Sequence, residues 1–152
     1  MKHRWAAPFV VLALGALMPA VAVAQGNVNP FPDHERSPGF ELGQNFPNPF
    51  NPATTIPFTI GDPPTCTDPG REYRVTLRIY NVLAQLVAVP ILQGGDESIG
   101  QPVVNLSLHC GSYTAYWSGN YLSTSMQVPA GVYLYSIEVD GKSVVKKMIM
   151  SK

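Results

Sequence analysis

The side chains with the most chemical potential in this chain are Cys66 and Cys110, His34 and His109, and the carboxylates of Asp62, Asp68, Asp96, Glu97 and Asp140. Nucleophilic catalysis needs a serine or cysteine held beside a base and an oxyanion donor, and no G-x-S-x-G or comparable turn occurs. His3 falls in an apolar leader, His34 in a proline-rich stretch and His109 on the outward side of an alternating segment, so no histidine pair is set up for proton transfer or zinc. Cys66 and Cys110 lack the close C-x-x-C spacing of metal knuckles. The acids stand in turn-rich stretches with no D-x-D-x-D run, where solvated turn positions account for them and no calcium loop is formed. Tyr113, Trp117, Tyr133 and Tyr135 would suit a sugar-stacking platform, but their register places them inward, as core aromatics. The residues therefore predict no catalytic, metal or cofactor site and no enzyme.

What the cysteines do depends on the compartment. Lys2, His3 and Arg4 form a basic start, residues 9–18 an apolar stretch, and Ala22-Val23-Ala24 the small-x-small pattern cut by a signal peptidase, which predicts cleavage before Gln25. The stretch falls short of the roughly 20 residues of a membrane span, so no anchor is expected after cleavage. In an exported chain an even cysteine count predicts a disulfide, here Cys66 to Cys110, with two separate buried thiols as the alternative. Closing so long a loop stabilises a fold by roughly 4 kcal/mol in the chain-entropy description.

The elements that must carry these residues read as strands. Charged residues are 13% of the chain against 45% apolar, and 15 prolines with 13 glycines demand frequent turns, which favours an all-β fold. A formal net charge of zero gives no long-range pull toward nucleic acid or anionic lipid. Residues 25–41 read as a flexible linker, and 42–52 as a stiff arm set by Pro47, Pro49 and Pro52. Residues 54–60 alternate with Ile56, Phe58 and Ile60 on one face, and Pro57 marks a sheet edge. Further strands are read over 73–80, 85–92 and 103–110, the last with Val104, Leu106, Leu108 and Cys110 inward. Tyr113, Ala115 and Trp117 continue the alternation, and Tyr133, Tyr135, Ile137 and Val139 form another inward stripe. Asp140-Gly141 predicts a two-residue hairpin into residues 143–150, where Val144 with Met148 and Val145 with Ile149 compete for the inward face. About seven short antiparallel strands with no helical period describe a two-sheet sandwich over 42–152, behind a leader over 1–24.

Five short motifs in order resemble a known family. Leu42-Gly43-Gln44-Asn45-Phe46-Pro47-Asn48-Pro49-Phe50-Asn51-Pro52, followed by Thr54-Thr55-Ile56, is similar to the L-x-Q-N-x-P-N-P-F-N-P-x-T-x-I opening of type IX sorting domains and FlgD-like immunoglobulin-like modules. Residues 79–85 resemble the family's I-Y-N-x-L-G-Q turn, Trp117-Ser118-Gly119 its W-D-G, Pro129-Ala130-Gly131-Val132-Tyr133 its P-S-G-V-Y, and Lys146, Lys147 and Lys152 the basic terminal strand. The resemblance implies an immunoglobulin-like β-sandwich, recognised by an outer-membrane translocon at the C-terminus of exported cargo and anchored among cell-surface components. Ala84 departs from the turn glycine, Ser118 from the aspartate, and the Cys66 loop from the short family pattern. No cargo domain stands between the leader and the sandwich.

The expected function is therefore sorting to the outer-membrane surface or medium by way of the periplasm. Gln44, Asn45, Pro47, Asn48, Pro49, Phe50, Asn51 and Pro52, with Gly131, Val132, Tyr133, Lys146, Lys147 and Lys152, form the expected recognition set. The alternative is a free-standing immunoglobulin-like structural or adhesive module at the surface.

Overall fold

A computed structural model describes residues 39–94 and 98–152, so the leader and most of the linker lie outside the described residues. Among the described residues nine strands form: β1 (Phe40–Leu42), β2 (Thr54–Ile60), β3 (Tyr73–Asn81), β4 (Leu86–Ala88), β5 (Ile91–Gly94), β6 (Leu106–Leu108), β7 (Gly111–Trp117), β8 (Gly131–Val139) and β9 (Lys142–Met150). One antiparallel sheet runs β1-β2-β7-β5, and the other runs β4-β3-β8-β9 with β6 also paired to β3. This is the two-sheet sandwich that the alternation predicts. Among the described residues, no helix is long and apolar enough to cross a membrane.

The inward stripes are those expected. Ile56, Phe58 and Ile60 of β2 and Tyr113, Ala115 and Trp117 of β7 are buried, as are Val75, Leu77 and Ile79 of β3 and Tyr133, Tyr135, Ile137 and Val139 of β8. Each large apolar side chain removed from water stabilises the fold by about 1.5–3 kcal/mol. The hairpin settles the competition in β9. Asp140 and Gly141 both take left-handed φ, 49° and 80°, as a type I′ turn requires, and this pairs Val139 with Lys142 and so Tyr133 with Met148. Met148 and Met150 are buried, whereas Val145 and Ile149 face water.

Four local expectations are corrected. The linker ends earlier than read, because Phe40 is buried and Phe40–Leu42 pairs with β2. Pro57 is not at an edge, since β2 lies between β1 and β7. Its carbonyl accepts the Gly43 N–H at 2.8 Å, so its missing donor falls on the side where regular pairing with β1 has stopped. Residues 85–92 are two strands in different sheets, β4 and β5, and the chain crosses between them at Pro90, which cannot donate to a ladder. In 103–110 only Leu106–Leu108 pairs as strand, and Val103 rather than Val104 is buried. Asn105 at φ 50° resets the alternation between them, its N–H donating to Thr76 Oγ1 at 3.0 Å.

The sandwich has two distinct ends. At one end lie Phe40 opposite Ile60, the loop after β2, the turn before β7 and the Asp140 hairpin, whose carboxylate accepts the Arg74 N–H at 2.9 Å and meets Arg71 at 3.2 Å. The disulfide Cys66–Cys110 joins the loop to the turn there. At the other end lie the turn from Asn81 to Gln85, the loop between β7 and β8, and residues 51–53 of the proline arm. In the first of these turns Ala84 stands at φ 59°, where glycine carries no Cβ penalty. Ala84→Gly relieves that strain against a larger loss of chain entropy, and urea unfolding is expected to show a net gain of about 0.5 kcal/mol. A loss in stability would mean that the turn holds Ala84 without strain.

Candidate recognition surface

The proline arm is fastened at three points. Asn45, only 2% exposed, donates through Nδ2 to Thr54 Oγ1 at 2.9 Å and to the Pro47 carbonyl at 3.1 Å, and Thr54 Oγ1 donates to the same carbonyl at 3.1 Å. The Asn45 N–H donates to the Tyr135 hydroxyl at 3.1 Å, and that hydroxyl donates to the Gly43 carbonyl at 2.9 Å. Tyr135 thus reaches from β8 in one sheet to the arm that runs along the other. Its burial pushes the phenol above its ordinary range, against a smaller opposing effect of the Asn45 amide. The third point is Phe50, fully buried, whose ring meets Trp117 at a centroid distance of 5.3 Å, with Tyr133 edge-on to Trp117 at 5.6 Å. The peptides preceding Pro47, Pro49 and Pro52 are cis.

The outer edge of β9 then receives the arm. Gln44 Nε2 donates to the Lys147 carbonyl at 3.3 Å, and the Ile149 N–H donates to Asn48 Oδ1 at 3.0 Å. The Phe50 N–H donates to the Ile149 carbonyl at 2.9 Å, and the Ser151 N–H to the Phe50 carbonyl at 2.9 Å. The last turn of the ladder is therefore not an open edge. The hydrogen bonds of the arm to the terminal strand run from Lys147 to Ser151.

This geometry divides the expected recognition set. Gln44, Pro47, Asn48, Pro49, Asn51, Pro52, Gly131, Val132, Lys147 and Lys152 are exposed, and Lys146 is half-buried opposite Tyr135. Asn45, Phe50 and Tyr133 are buried. The Tyr133 hydroxyl donates to the Pro129 carbonyl at 2.6 Å, and Lys152 lies beside Asn51 and residues 127–130. Thr54 and Tyr135 were missed as members of the assembly. Thr54 stands nine residues after Asn45 and had a visible signal as a polar residue in an inward register, whereas nothing local marks the hydroxyl of Tyr135.

The arm and the terminal strand thus present exposed amides, lysines and proline rings in one hydrogen-bonded layer. Among the described residues, no group of three or more His, Cys, Asp or Glu side chains could hold a metal ion. The fold and this surface define the class, an all-β sandwich with a covalently closed loop and a layered N-terminal arm. No protein-family model, curated protein or solved structure matches the chain.

Proposed function

We propose that this chain is an exported, non-catalytic sorting module, read through its proline arm and terminal strand by a secretion translocon of the type IX kind and delivered to the cell surface. The observation that carries the reading is the joining of two motif segments 101 residues apart, Asn48 and Phe50 against Ile149 and Ser151, into one hydrogen-bonded layer. Two motifs that resemble a sorting signal at opposite ends of the sandwich sequence thus form one surface. The leader supports export, and the disulfide fits the oxidising compartment beyond it.

Deleting residues 146–152 is a poor test, because it removes the buried Met148 and Met150 from the core. The combined substitution Asn51→Ala, Lys147→Glu and Lys152→Glu touches only exposed side chains that make none of the hydrogen bonds fastening the arm. In a host with a type IX system, the full chain carrying it is expected to accumulate in the periplasm, with surface display read by protease accessibility of intact cells reduced at least about tenfold, as loss of a few polar contacts allows. Thermal unfolding should remain close to the parent. Undiminished surface display by the folded variant would defeat the reading.

A further inference from the structure

The turn between β3 and β4 and the loop between β7 and β8 meet at one end of the sandwich, and both offer large apolar side chains to water. Val82 and Leu83 are 68% and 74% exposed and Met126 is 69% exposed, with Tyr121 and Leu122 nearly half exposed. This exposure is built rather than slack. Asn81 Oδ1 accepts the N–H groups of Leu83 and Gln85, both at 3.0 Å, and the Ala84 N–H donates to the Asn81 carbonyl at 3.0 Å, which fixes the tip. The Leu122 N–H donates to the Val87 carbonyl of β4 at 2.7 Å and the Tyr121 N–H to the Met126 carbonyl at 2.8 Å, so the second loop is closed on itself and tied to β4. Val82 and Tyr121 line one shallow cleft between them.

The charge pattern narrows what this end can meet. Between Arg78 and Glu138 the sequence holds only Asp96 and Glu97 as fixed charges, and neither turn contains one. The polar neighbours are neutral: Asn81, Gln85, Ser123, Thr124 and Ser125. Lys152 also lies at this end, beside Gln127 and Ala130. Apart from Lys152, no side chain here would compensate the desolvation of a charged partner. The chain enters the sandwich at the other end, at Phe40 opposite Ile60, so the attachment of the preceding residues is remote from these tips.

We propose that this end docks on the lipid–water interface of a bilayer, with Val82, Leu83 and Met126 entering the acyl boundary and Tyr121 at the level of the headgroups. Two separate projecting tips with a cleft between them favour a fluid partner. Lipid closes around each tip, whereas a second rigid copy of this chain would set tip against tip and leave voids that native interfaces do not tolerate. The neutral hydroxyls and amides around the tips suit phosphate and ester oxygens, and the single lysine leaves little dependence on anionic lipid. This inference goes beyond sorting and does not depend on it.

The test is sedimentation of the exported chain, its leader removed, with vesicles of phosphatidylcholine alone and of phosphatidylcholine mixed with phosphatidylglycerol. The parent is expected to bind both with similar partition coefficients and weak salt dependence. Leu83→Asp with Met126→Asp, at exposed turn positions, should lower partitioning at least about tenfold while thermal unfolding is unchanged. Failure of the parent to bind either vesicle overturns the proposal, as does binding confined to the anionic vesicles and lost on neutralising Lys142, Lys146 and Lys147. Sedimentation equilibrium supplies the remaining arm, because a dimer dissolved by the same two substitutions would assign this end to a second copy.

Discussion

Replacing Gly119 by alanine is expected to lower stability by about 3–4 kcal/mol, a large share of the 5–15 kcal/mol typical of a domain. A Cβ at this position would stand 2.1 Å from the Pro52 carbonyl oxygen and 3.0 Å from its carbon, and the residue sits at φ +81°. The obstacle is backbone, and it is anchored. Phe50, two residues earlier, is buried against Trp117 and bonded to Ile149 and Ser151, while the Gly119 carbonyl accepts the Val128 N–H at 2.9 Å. Neither side can retreat without opening the arm or the loop. Gly100→Ala isolates the conformational part, because Gly100 has φ +88° with nothing within 4 Å of its added Cβ. That variant should lose about 1 kcal/mol, the strain of a left-handed alanine alone. Guanidinium unfolding of both variants measures the difference, and equal losses would mean that the arm yields at Pro52 instead of being locked there.

The period-two stripes of β2, β3, β7 and β8 were legible because each strand buries one face, so alternation in sequence maps directly onto burial. Where one backbone angle changes hand, that mapping fails. Asn105 at φ 50° turns Val103 inward and Val104 outward, and asparagine is common enough in ordinary strands' ends that nothing nearby announces it. Pro57 misled for a related reason. A proline without a donor needs only one side free of a ladder partner, and the arm supplies a carbonyl-seeking N–H from Gly43 on that side, a contact set by tertiary path rather than local pattern. Residues 85–92 read as one strand straight through Pro90, and the two sheets it separates were not legible, because sheet membership is decided by β7 and β3, which lie elsewhere in the chain. The recognition set shows the same limit. Its residue types were visible, but the division into buried Asn45, Phe50 and Tyr133 and exposed Gln44, Asn48 and Lys147 depends on contacts about 100 residues apart.

Removing the disulfide by Cys66→Ala with Cys110→Ala is expected to cost about 4 kcal/mol, since the closed loop spans 44 residues and the freed unfolded chain gains the corresponding entropy. Packing losses are small by comparison, because both cysteines are only half-buried. The loop after β2 also carries a side-chain tie at Asp62. Asp62 accepts the Thr67 N–H at 3.1 Å and its hydroxyl at 2.6 Å, and these bonds hold its carboxyl below the ordinary 3.8. A depressed folded value means that this tie acts at neutral pH and is lost only as pH falls below the ordinary value, so unfolding measured near pH 7 reports the bridge and not the carboxylate. The effect should also be confined in space. The bridge closes the end of the sandwich where Phe40 pairs with Ile60, whereas the Phe50 and Ile149 N–H groups are bonded at the other. Hydrogen exchange on the double alanine variant is therefore expected to lose protection first at the backbone amides of positions 66 and 71, while Phe50 and Ile149 exchange only by global opening. A loss under about 1 kcal/mol, or early exchange at Phe50, would show that the bridge does not act as a closure of that loop alone.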